Sequence, residues 1–252
     1  MAEVHGHGEV GSQGWLDYKI WLALASFNPA AVHEWLERGA DPNSISPLEG
    51  VATDVSLLMA SVARGDIDTV SNLLEYNANV AHRDWRGRTA LHMAVEQDNI
   101  ASVNMLRWRR ANPLHQGSDG QTPLDIAVKA GRYMTVVALL HNFTSPIVRN
   151  GEPSTLLHYS AEHGTAQIAI KLIDAGVDVD VRDMNHRTPL HLAVCNGHEL
   201  TVQKLLIAGA HTLRLDRNGK TPIDMAAERG NPRIIDDLNQ AMRVRQHSRQ
   251  DP

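Results

Sequence analysis

Apolar residues in this chain fall into short stripes with helical spacing, and the stripes come in pairs. Between residues 188 and 209, Leu190, Ala193 and Val194 mark one short apolar face. Val202, Leu205 and Leu206 mark a second, at the i, i+3, i+4 step of a buried helical stripe. Thr188-Pro189 before the first stripe predicts a helix start: Thr caps free amides, and Pro at the first helical position sets φ without losing a needed donor. Gly197 and Gly209 predict the two helix ends. Residues 210–220, with Asp216 and Gly219, read as a turn-rich excursion. Two short antiparallel helices and a projecting turn make one unit.

That unit repeats. Thr89, Thr122, Thr155, Thr188 and Thr221 each follow the last by 33 residues, with Ser56 one step earlier. Leu73, Leu106, Leu139, Leu172, Leu205 and Leu238 keep the same step, as do Leu58, Leu91, Leu124, Leu157, Leu190 and Ile223. Further columns read Gly65, Asp98, Gly131, Gly164, Gly197, Gly230 and Val70, Val103, Val136, Ala169, Val202, Ile235. A period of this length predicts a stacked helical array, because a lone helix pair cannot bury its apolar face and a stack can.

Thr188-Pro189-Leu190-His191-Leu192-Ala193, Thr89-Ala90-Leu91-His92-Met93-Ala94 and Gly39-Ala40-Asp41-Pro42-Asn43 resemble the signature runs of the ankyrin repeat family. The resemblance covers residues 18–240. It implies an all-α ankyrin-repeat solenoid of about six to seven repeats with short β-hairpin fingers and a concave face lined by the first helices. The units are expected near 18–43, 56–88, 89–121, 122–154, 155–187, 188–220 and 221–241, within a repeat domain at 17–241. Residues 1–16 and 242–252 are expected as tails, and the extra residues of the first unit as an enlarged finger at 44–54. The resemblance also implies that His92, His158 and His191 hydrogen-bond the neighbouring turn, whereas Met59, Asp125 and Asp224 occupy that column elsewhere. Arg110 and Phe143 stand where a helix-ending glycine is expected, which predicts two irregular ends.

Composition changes this picture little. The chain is 42% hydrophobic and 21% charged, with two Phe, four Tyr and five Trp, so the core rests on aliphatic residues. A net charge of −5 gives the whole chain no reason to seek nucleic acid, and no basic helix or zinc module is legible; no direct nucleic-acid contact is expected. The first residues lack the apolar run of a signal peptide, and no stretch approaches a membrane span, so no membrane insertion is expected. The single cysteine, Cys195, excludes an internal disulfide and fits a reducing compartment, cytoplasmic or nuclear.

Catalytic, cofactor and metal sites are not expected. Gly6-His7-Gly8-Glu9-Val10-Gly11 matches a dinucleotide fingerprint literally but lacks a strand before it and a helix after it. Cys195 has no sequence neighbour to activate it. An enzyme would need a polar constellation converging from several units.

Binding, by the resemblance, belongs to the variable finger positions −6, −4, −3 and −1 from each Thr. In five units these carry eight basic and two acidic residues. The candidate partner-binding residues are Arg83, Trp85, Arg86, Arg88, Arg149, Arg182, Met184, Arg187, Arg217 and Lys220, with Trp108 and Arg109 at a helix end. Either solvated turns simply tolerate arginine, or a basic strip steers an acidic segment of a protein partner into the concave face. On the second reading, exchanging Arg83, Arg86 and Arg88 for Glu abolishes capture and spares thermal stability. The expected function is a monomeric protein-interaction adaptor, in one form a transcriptional co-regulator acting through its partner. Anchoring a membrane receptor tail is the alternative.

Overall fold

The computed structural model describes residues 11–46, 54–141 and 156–247. Fourteen helices occur among them. The chain divides into two compact units, Met1–Ala127 and Val128–Pro252.

In the first unit the helices alternate between two rows. One row holds α1 (Gln13–Ala25), α3 (Leu57–Arg64) and α5 (Ala90–Glu96); the other holds α2 (Pro29–Glu37), α4 (Ile67–Glu75) and α6 (Ile100–Trp108). Each first helix packs on the next first helix, each second helix on the next second helix, and each pair on itself. Leu58, Leu73, Leu91 and Leu106 are fully buried between the rows. α7 (Pro123–Lys129) carries the division between the units.

The second unit repeats the scheme with α8 (Tyr133–Leu140), α9 (Leu156–Glu162), α10 (Ala166–Asp174), α11 (Pro189–Cys195), α12 (Glu199–Ile207), α13 (Pro222–Arg229) and α14 (Pro232–His247). Leu139, Leu157, Leu172, Leu190, Leu205 and Leu238 are fully buried there.

Helix starts follow the repeated hydroxyl. Ser56 accepts from the Met59 amide, Thr122 from Asp125 and Thr221 from Asp224. Helix ends follow the glycine column: Gly65, Gly131, Gly164, Gly197 and Gly230 all have φ between 67° and 73°, and Asp98 adopts 55° in the same place. The expected irregularity at Arg110 does not occur. Its φ is 62°, like Asn77 at 61°, and the Ala111 amide still reaches the Leu106 carbonyl at 3.0 Å, so arginine takes over the glycine conformation. Phe143 lies outside the described residues.

The ends and fingers differ in detail from the expectation. α1 begins at Gln13, inside the segment expected as a tail, with Ser12 capping it. α14 runs to His247, past the expected boundary at 242. Gly6 to Val10 and residues 47–53 of the enlarged finger lie outside the described residues. No strand forms among those described; one isolated bridge pairs Ile45 with Ser56. The described fingers at 84–88, 117–121, 183–187 and 216–220 are tight turns: in the first, Gly87 N–H bonds the Asp84 carbonyl and Asp84 N–H the Arg88 carbonyl, leaving no length for a ladder.

Candidate partner interface

A buried aspartate organises the finger between α4 and α5. One carboxylate oxygen of Asp84 accepts from the amides of Arg86 and Arg88, at 2.9 and 2.8 Å. The other accepts from the Arg88 guanidinium at 3.0 and 2.9 Å, and Arg88 also reaches Glu96 at 3.2 Å. Arg83 turns back as well, donating to the Gly87 carbonyl at 3.3 Å and to Gln116 of the next finger at 3.1 Å. The Ser118 amide donates to the Arg86 carbonyl, lacing the two fingers together. A side chain at Gly87 would strike Arg83 and Ser118, within 2.8 and 3.2 Å, so this close approach needs glycine.

Two neighbouring side chains at the tip of this finger stand exposed. Trp85 is 55% exposed, and the Arg86 guanidinium lies over its ring at 4.6 Å. Arg83 and Arg88, expected as binding residues, also hold the turn that carries this pair. The triple exchange of Arg83, Arg86 and Arg88 therefore attacks the finger itself, because two of its three targets are structural.

The second unit uses the same device. Asp183 accepts from the amides of Asn185 and Arg187 and from the Arg187 guanidinium. Asp216 accepts from the amides of Asn218 and Lys220. Burial alone would raise the Asp183 carboxyl, but the bonds from Arg187 and Asn185 outweigh it and hold the group below its usual range. Arg182 reaches the Leu215 carbonyl of the following finger, and the Arg217 amide bonds the Asn185 carbonyl at 2.8 Å. Lys220 pairs with Glu228 at 2.6 Å. Met184 at 72%, Leu213 at 62% and Leu215 at 51% stand exposed on these two fingers, as does Arg217.

Trp108 and Arg109 sit apart from any finger, at the end of α6. Trp108 is 86% exposed, and Arg109 donates to the Asn77 side chain at 3.2 Å. Arg149 lies outside the described residues. The three tryptophans of the first repeat are half-buried: Trp15 meets Trp35 edge to face at 5.4 Å, and Trp21 donates to Ser44.

The repeated histidines act between units of the repeat. Thr89 and Thr188 donate their amides to Nδ1 of His92 and His191, both at 3.0 Å, which leaves Nε2 to carry the proton. Nε2 of His92, His158 and His191 then faces the Gln121, Arg187 and Lys220 carbonyls at 3.3, 2.9 and 3.2 Å. Burial pushes all three below the ordinary histidine value, against the pull of those carbonyls.

The sequence reading overlooked Asp84, Asp183 and Asp216. Their signal was present: the three share one column, five residues before the Thr, where Gly117 and Asn150 stand in the other fingers. Among the described residues no cluster of three or more His, Cys, Asp or Glu is arranged to hold a metal. No described helix is long and apolar enough to cross a membrane.

Helix pairs in register, buried column leucines and fingers laced to their neighbours define a helical repeat protein. The family model for ankyrin repeats matches residues 20–116, 126–215 and 157–241, so the chain belongs to the ankyrin repeat family and has its solenoid fold. It is similar to an ankyrin repeat domain from Acinetobacter baumannii, at 28% identity over 73% of this chain and 96% of that one, TM-score 0.67. The ankyrin repeat domain of Bcl-3, a member of the IkappaB family, shares the fold at 22% identity over 88% and 97%, TM-score 0.71. No curated protein matches the chain. Ankyrin repeats bind protein partners.

Proposed function

We propose that this chain is a non-enzymatic adaptor that captures a protein partner on its finger tips, with Trp85 and Arg86 as the anchor. One observation carries the reading: a large aromatic ring stands more than half exposed on a turn that a buried carboxylate holds rigid. Tryptophan and arginine on a preorganised support are the residues that dominate binding energy at interfaces, since little conformational entropy remains to be lost. The surplus of basic residues favours an acidic partner segment, although less strongly than the count of finger residues suggests, because Asp84, Asp183, Glu96 and Glu228 neutralise several of them. A co-regulator that reaches genes only through its partner is one form of this function. A reducing cytoplasm or nucleus suits the free thiol of Cys195.

The clean test alters the anchor and spares its support. Trp85→Ala and Arg86→Glu are each expected to reduce partner capture from native extract by about tenfold or more at an unchanged melting midpoint. Undiminished capture by both variants overturns the proposal.

A further inference from the structure

The end of α6 combines two features that occur together at no other second helix whose end is described. Five second helices, α2, α4, α6, α10 and α12, close on a residue in the left-handed conformation: Gly39, Asn77, Arg110, Gly176 and Gly209. Two positions earlier stand Glu37, Glu75 and Asp174 in three of them and the exposed Ile207, at 78%, in α12. In α6 it is Trp108, 86% exposed. The buried stripe of α6 is Ser102, Val103 and Leu106, so packing does not require the indole. Arg110, in turn, holds a strained φ of 62° where glycine would sit freely. Neither residue is explained by the fold, and both have fold-compatible alternatives in sister repeats.

The surroundings are basic. Residues 99–118 contain Arg107, Arg109 and Arg110 and no acidic residue. Arg107 donates to the Ala111 carbonyl at 2.6 Å and Arg109 to Asn77, which fixes the guanidinium groups around the helix end; Arg110 is exposed. The packed neighbour α4 contributes Glu75, which accepts from Ser71. An anionic membrane generally needs about four to eight clustered basic residues, more than this helix end offers. One exposed indole on a helix end that carries three arginines matches a peptide-sized ligand better.

We propose that the C-terminal end of α6 is a second docking surface, on a different element from the fingers, for an acidic protein segment. The segment sets an apolar side chain on Trp108 and carboxylates against Arg109 and Arg110. The inference does not depend on the finger reading.

The chain's own repeats supply the test. Trp108→Glu copies Glu75, and Arg110→Gly copies Gly176, so the double variant removes the surface while restoring ordinary repeat residues. Peptides are selected from a phage-displayed random library on the whole chain, then compared on the double variant and on Trp85→Ala. With 5-fluorotryptophan in place of tryptophan, the Trp108 fluorine resonance is identified by its loss in Trp108→Glu. Peptides combining acidic and bulky apolar residues are expected to bind the double variant at least about tenfold more weakly. They are expected to shift the Trp108 resonance, and the melting midpoint of the double variant is expected not to fall. Equal binding to both proteins overturns the proposal, as do discriminating peptides without acidic residues. So does a Trp108 resonance that answers only phosphatidylserine vesicles, or a midpoint that falls together with binding. If Trp85→Ala alone abolishes binding, the finger reading stands and this one fails.

Discussion

The Asp183 carboxylate receives two backbone amides on one oxygen and the Arg187 guanidinium on the other, in a turn where helical pairing rules do not apply. Hydrogen bonds to a charged group contribute about 1.5–3 kcal/mol, so Asp183→Asn is expected to lower unfolding free energy by roughly that amount in denaturant titration. Its folded value lies below the unfolded one, so its contribution is complete above about pH 4 and is lost as pH falls through the folded value. The variant should therefore lose part of the acid sensitivity seen in wild type below pH 4; an unaltered acid limb would show that the carboxylate is not the group responsible. At this scale the residues expected to bind partners fall into two kinds. Arg83, Arg88, Arg182 and Arg187 hydrogen-bond within or between fingers, whereas Trp85, Met184 and the side chains of Arg86 and Arg217 stand exposed.

Three first helices, α5, α9 and α11, are each joined to the following finger by a histidine. His92 and His191 accept from a threonine amide and donate to a carbonyl 29 residues on, a geometry that only the neutral ring with its proton on Nε2 satisfies. Protonating Nδ1 would point a donor at a donor. With folded values below the unfolded histidine value near 6.5, the unfolded chain binds more protons, so stability is full above about pH 6.5 and falls as pH drops below it. Thermal melts at stepped pH should show that decline, and His191→Asn should flatten part of it while costing about 1–3 kcal/mol at neutral pH. A decline of unchanged size in the variant would contradict this account. Asp125 and Asp224 keep the helix cap in their repeats, accepting the Thr122 and Thr221 amides at 2.7 and 2.9 Å.

Over the whole molecule, stability is expected to approximate a sum of repeat terms and nearest-neighbour interfaces. Leu172→Ala or Leu205→Ala, both at fully buried positions, should each cost about 2–5 kcal/mol by equilibrium unfolding, from lost transfer energy and the cavity left behind. A cost below about 1 kcal/mol would mean that the column does not carry the core. The repeat itself was legible because six leucines and five threonines in register report one local unit several times, so chance agreement in a single helix does not mislead. Helix starts at Ser56 and Thr221 and ends at the glycine column follow from short-range chemistry and appear where the residues place them. What the tertiary structure alone decided was which polar groups are spent. Arg83 finds the Gln116 carbonyl, and Arg182 the Leu215 carbonyl, a full repeat away, and Asp84 closes around its own turn. Charge counted along a chain records neither the partner nor the burial of a side chain. Those depend on how neighbouring repeats stack, and so the fold could be read from periodicity while the free surface could not.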